Sequence, residues 1–109
     1  MSTGTAKGID IHAAKQLVDE GKVEVVDVRS QFRAPAMANA SYVPLEDILA
    51  RPKDVLPKGK AVLFICNVGQ ASGVAMQMAA AMGIGEVYNM EGGMEAWAEA
   101  GYPTVPPPL

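Results

Sequence analysis

The sequence predicts an α/β domain built on a mostly parallel, five-stranded sheet with helices on both faces. Three observations carry that expectation. Short β-rich runs, such as Val23 to Val28 and Glu86 to Met90, alternate with stretches of helical spacing along the whole chain. Ala61-Val62-Leu63-Phe64-Ile65 is continuously apolar, as a parallel strand covered on both faces must be. Gly21, Pro44, Gly59, Gly83 and Gly85 fall between the runs, where they punctuate elements. Right-handed crossovers follow for such a sheet.

Taken in order, Met1 to Gly8 reads as a flexible lead, and the single domain spans residues 9–103. Ile9 to Ile11 is expected as a short first strand. A helix follows from His12 or Ala13 to about Glu20, spaced by Ala13, Ala14, Leu17 and Val18 and stopped by Gly21. The strand from Val23 ends in Asp27-Val28-Arg29. Ser30 to Asn39 has no period and contains Pro35, so a loop is expected, then a short strand over Ser41 to Val43. Leu45 to Ala50 reads as a helix and Arg51 to Lys60 as a polar loop. After the strand at 61–65, Cys66 to Ala71 form a tight loop and Ser72 is the expected cap of a helix running to Met82. Only Gln77 breaks that helix's apolar surface, which predicts a largely buried element. Gly92-Gly93 open a final helix to about Ala100, with Met94, Trp97, Ala98 and Gly101 on one face. The Pro-rich tail, residues 104–109, is expected to be frayed or extended.

Composition excludes several classes. The chain has 109 residues, 50% hydrophobic and 19% charged, which suits one globular domain able to bury a core without disulfides or metal. Its net charge of -3 argues against nucleic acid or an anionic membrane as a partner, since both require clustered positive charge. The longest apolar runs are too short for a bilayer. The N-terminus lacks an apolar signal segment, and together with a free thiol this predicts a cytoplasmic protein. One cysteine permits neither an internal disulfide nor a Cys-x-x-Cys pair, and His12 is the only histidine, so no metal and no cofactor are expected.

In parallel sheets, reactive groups gather beyond the carboxyl ends of the strands, where Cys66 and Asp27 both fall. An isolated cysteine is most often an inert core residue. Cys66, however, ends its strand and enters the loop Asn67-Val68-Gly69-Gln70-Ala71-Ser72. Gly69 allows successive N–H groups to curl inward, and a helix N-terminus lies behind them. That combination holds an anion without a charged side chain and lowers a thiol's pKa. Asp27 reads as an acceptor for loop amides, structural or positioning. Arg29 reads as a clamp on a carboxylate, with substrate attraction the lesser alternative.

The string Cys66-x-x-Gly69-x-x-Ser72, with Asp27-Val28-Arg29 before it and Val87-x-x-x-x-Gly92-Gly93-x-x-x-Trp97-x-x-Ala100-Gly101-x-Pro103 after it, resembles the rhodanese-like sulfurtransferases over nearly the whole chain. The resemblance implies a three-layer rhodanese-like fold. It also implies a Cys66 persulfide, formed by taking sulfane sulfur from a donor (thiosulfate or a persulfide) and discharged to cyanide, a small thiol or a protein thiol. Asn67, Val68, Gly69, Gln70, Ala71 and Ser72 would form the anion-binding loop, with Asp27 and Arg29 in support. No resolving thiol is present to discharge the persulfide internally.

Two departures stand out. Ala71 occupies the place where this family commonly has Arg, leaving the loop uncharged and only Arg29 or Arg33 to attract a dianion, so weak use of thiosulfate is predicted. Pro35 to Ala40 replaces the usual Gly-His-Ile-x-Gly-Ala segment. A phosphatase or arsenate reductase of this fold would need Cys-x5-Arg, whereas the sixth residue after Cys66 is Ser72 and no Arg follows Arg51. The alternative is a non-catalytic rhodanese-like binding or regulatory module. A monomer or weak homodimer is expected.

Overall fold

The computed structural model describes residues 5–32 and 34–107. Five strands, β1 (Thr5–Ile9), β2 (Val23–Asp27), β3 (Ser41–Tyr42), β4 (Ala61–Ile65) and β5 (Glu86–Met90), form one sheet in the order β1-β5-β4-β2-β3. Every pairing is parallel. Helices α1 (Ile11–Asp19), α2 (Leu45–Ala50), α3 (Pro52–Val55), α4 (Gln70–Ala81) and α5 (Gly93–Glu99) connect them.

Side chains alternate across a strand, and β4 shows what this does in the centre of the sheet. Leu63 and Ile65 enter a core with Ala14 of α1 and Met94 and Trp97 of α5. Val62 and Phe64 enter a second core with Ile48 of α2 and Ala75, Met76 and Ala79 of α4. Three layers result, as the sequence predicts. Cys66 continues the alternation and falls on the α2/α4 side. The register sets Asp27 opposite Ile65 and Phe64 opposite Asn89, so the ends of β2, β4 and β5 lie level.

Several boundaries differ from expectation. The first strand begins at Thr5 and ends at Ile9, so residues 5–8 are strand rather than flexible lead; residues 1–4 lie outside the described part. Thr5, Ala6 and Lys7 are exposed and polar or small, and only backbone pairing with β5 makes them a strand. Asp10 caps α1 by accepting from Ala13 N at 2.8 Å, so Ile11 is already helical. The polar loop at 51–60 contains one helical turn, α3, started by Pro52. Helix α4 begins at Gln70 behind Gly69, which puts Ser72 inside the first turn instead of at the cap. That helix is buried on one side only, with Val74 and Gln77 exposed. In α5, Met94 and Trp97 are buried and Ala98 is half-buried, while Gly101 lies past the helix end and is exposed.

The tail is extended but tied down. Ala36 and Val105 exchange two backbone hydrogen bonds of 2.8 Å, and Trp97 Nε1 donates to Pro103 O at 2.7 Å. Residues 108–109 lie outside the described part. Among the described residues, no helix is long and apolar enough to cross a membrane.

Candidate active site

Cys66 directly follows the last residue of β4, with 4% of its surface exposed, and two backbone N–H groups are directed at its sulfur. Gly69 N donates to Sγ at 3.1 Å and Ser72 N at 3.4 Å, while Ser72 Oγ lies 3.2 Å away. Burial raises the thiol pKa, but the hydrogen bonds a thiolate would receive from the Ser72 side chain and from the backbone of Ser72, Gly69 and Val68 outweigh it, and the net shift is downward from 9.0.

The turn depends on glycine twice. Gly69 has φ of 95°, and a Cβ there would sit 3.2 Å from Gly92 N and 3.3 Å from Met90 O. Gly93 has φ of 65°, and a Cβ on it would come within 2.3 Å of Asn67 O. That contact explains Gly93, while Gly92, with φ of 85°, would place a Cβ 2.8 Å from Ala96 Cβ. Gly93 lets the start of α5 press against the loop, where Met94 N donates to Cys66 O at 2.8 Å and Glu95 N to Asn67 O at 3.0 Å.

Asp27 and Arg29 brace the other side. Arg29 Nη2 donates to Asp27 Oδ2 at 2.7 Å and Nε to both carboxylate oxygens, with both side chains almost fully buried. Arg29 Nη1 donates to Ala34 O and to Asn67 Oδ1, both at 3.0 Å, and Asp27 Oδ1 also accepts from Arg29 N. The pair therefore acts as a joint between the end of β2, the 30–34 loop and the Cys66 loop. Arg33 lies outside the described residues.

A cavity of about 480 Å³ opens over this arrangement. Cys66, Asn67, Val68, Gln70 and Ala71 line it together with Arg29, and Glu46 from α2 joins them. Gly69 and Ser72 bond the sulfur from behind. A larger cavity, about 740 Å³, lies between the 52–60 connection and the start of β5, beside Lys58, Lys60 and Ile84. None of the residues singled out for chemistry lines it. His12 does not line this cavity: it is exposed on α1 and hydrogen-bonds Tyr102.

Sequence reasoning missed two residues here, Glu46 and Asn89. Asn89 is buried, and its Nδ2 donates to Gly69 O at 3.0 Å while its Oδ1 accepts from Ser72 Oγ. Its signal was present: a lone amide within the run Val87, Tyr88 and Met90 that completes the last strand after Glu86.

Residues 10–100 match the rhodanese-like domain. The chain belongs to that family. A Vibrio cholerae protein named thiosulfate sulfurtransferase GlpE is 30% identical over 96 residues, covering 87% of this chain and 91% of its own. An Allochromatium vinosum protein named sulfurtransferase is 31% identical, covering 86% of this chain and 89% of its own. An uncharacterized Synechocystis protein is 33% identical over 108 residues, and this chain spans 59% of its length. Among solved structures, a rhodanese-related protein from Thermoplasma volcanium superposes with a TM-score of 0.78 at 28% identity, covering 91% of this chain and 97% of that one. A rhodanese homologue from Thermus thermophilus gives 0.70 at 34% identity, covering 82% and 98%. These rhodanese-like relatives support sulfurtransferase activity in general.

Proposed function

We propose that the protein is a sulfurtransferase that carries sulfane sulfur as a Cys66 persulfide. The observation that carries this reading is a single thiol on the wall of an open cavity, with backbone N–H groups of Gly69 and Ser72 directed at its sulfur. A thiolate there is stabilised by the same donors that would hold the terminal sulfur of a persulfide. In the first half-reaction Cys66 Sγ attacks the sulfane sulfur of the donor. A new S–S bond forms, the donor's bond to that sulfur breaks, and the donor leaves as a thiolate or as sulfite. In the second, an acceptor thiolate or cyanide attacks the terminal sulfur, and Cys66 departs as the thiolate.

The cavity wall also bears on the donor. Its charged members are Arg29 and Glu46. Arg29 uses Nε, Nη1 and Nη2 within the protein and is neutralised by Asp27. Among the described residues, a dianion would therefore meet no free cation on that wall. Persulfide donors of low charge are favoured over thiosulfate, for which a high KM is expected.

Intact mass after exposure to glutathione persulfide, and separately to thiosulfate, tests both statements. The expected result is a gain of one sulfur from the persulfide, absent in Cys66→Ser. No adduct from either donor would leave a rhodanese-like binding module as the function. A thiosulfate KM in the low micromolar range would overturn the donor preference alone.

A further inference from the structure

The hydrogen bonds behind the sulfur have a direction, and the amide of Asn89 sets it. Gly69 O can only accept, so the Asn89 group 3.0 Å from it is the Nδ2 donor, and Oδ1 must be the atom facing Ser72. Ser72 has one hydroxyl hydrogen, and it goes to Oδ1. Toward Cys66, 3.2 Å away, Ser72 Oγ can then serve only as an acceptor, which suits a thiol that donates. The chain runs from Cys66 S–H to Ser72 O–H to Asn89. A thiolate has no hydrogen to give and seeks donors. To satisfy it, Ser72 must turn its hydrogen from Asn89 Oδ1 to Sγ, leaving a buried carbonyl oxygen without that donor.

We propose that Asn89 is a positioning residue that competes with Cys66 for the Ser72 hydroxyl hydrogen and so restrains the sulfur from ionising until the hydroxyl turns. No covalent bond to Ser72 changes in this step: the thiol proton leaves to solvent, and the hydroxyl hydrogen exchanges one acceptor for another. The same rotation would present a donor to the inner sulfur of a persulfide. This rests on the reading of Cys66 as a nucleophile but needs no sulfur transfer to be tested.

Among the described residues, the charged groups around the sulfur are the Arg29–Asp27 pair and Glu46 on the cavity side, with Glu91 and Glu95 beside the loop through their backbone. None of these side chains is hydrogen-bonded to Sγ, Ser72 Oγ or the Asn89 amide. Local titration should therefore report the competition for the hydroxyl.

The experiment is the rate of Cys66 alkylation by iodoacetamide across pH in wild type, Asn89→Ala, Ser72→Ala and the double variant. Removing the competitor should move the Asn89→Ala midpoint to lower pH and raise the rate well below it by roughly threefold. In the Ser72→Ala background, Asn89→Ala should leave the midpoint where Ser72→Ala put it. If Asn89 merely held the loop through Gly69, its loss would raise the midpoint in both backgrounds, and either result overturns the proposal. Should Asn89→Ala not fold, proton NMR of the wild type decides. A Ser72 hydroxyl resonance coupled to the Asn89 amide below the midpoint and to Cys66 Hβ above it supports the competition; an unchanged pattern refutes it.

Discussion

Two polar assemblies lie side by side at the carboxyl end of the sheet, and they are built on opposite rules. Asp27 and Arg29, at the end of β2, are full charges buried almost completely, with each Arg29 nitrogen assigned an acceptor. Cys66, Ser72 and Asn89, one and two strands away, form a neutral chain around one ionisable atom. A buried ion pair has a large penalty for change, because either partner left alone keeps its charge without compensation. A neutral hydrogen-bonded chain can reverse its direction at the cost of about one hydrogen bond. The first assembly fixes geometry; the second can respond to the state of the sulfur.

The sharpest way to break this comparison is to remove one charge. Asp27→Ala leaves Arg29 buried and unpaired, and should cost about 3–5 kcal/mol in urea unfolding. Replacing both partners together, Asp27→Leu with Arg29→Met, should recover much of that loss. If the single substitution costs no more than an exposed pair such as Lys15–Asp19 would, the clamp reading fails.

Next in size is Gly93→Ala, which meets the Asn67 backbone and requires a left-handed residue. A cost of about 2–3 kcal/mol and a loss of thiol reactivity are expected, since the contact supports the loop from below. Gly21→Ala offers the control: its φ of 67° is similar but nothing lies within 4 Å of the added Cβ, so about 1 kcal/mol and unchanged reactivity are expected.

Ser72→Ala should cost about 1–2 kcal/mol by leaving Asn89 Oδ1 without its donor. Its main effect falls on the chemistry: the alkylation midpoint moves up, because Ser72 is among the groups that lower the thiol's pKa. The smallest effect is on pH-dependent stability. The folded-state pKa of Cys66 lies below its ordinary value of 9.0, so the unfolded chain binds the proton more readily between the two values. Wild type should gain stability relative to Cys66→Ser as pH rises toward 9.0, hold it above, and lose it as pH falls through the folded value. Parallel unfolding curves for the two proteins across that window would mean that the groups around the sulfur do not favour the thiolate.

Reading the chain alone recovered what depends on neighbours in sequence. The apolar run at 61–65, the placement of Cys66 after it and the Gly69 turn follow from strand alternation and turn chemistry, which act over a few residues. The exposed strand at Thr5 was not legible, because its side chains carry no pattern and only the β5 backbone recruits it. The residue type of Ser72 suits a cap, whereas Gly69 takes that position and leaves Ser72 in the first turn, where its N–H reaches the sulfur.

The sequence by itself determined that this is an alternating α/β chain whose single thiol stands at the end of its central apolar strand. Only the tertiary structure decided what surrounds that thiol. Asn89 reaches Ser72 because β5 lies beside β4, Arg29 reaches Asn67 because β2 lies on the other side, and Gly93 lets α5 press against the same loop. Each contact joins residues far apart in the chain. Strand order and register, set by the packing of both cores at once, bring them together, and no local pattern encodes that.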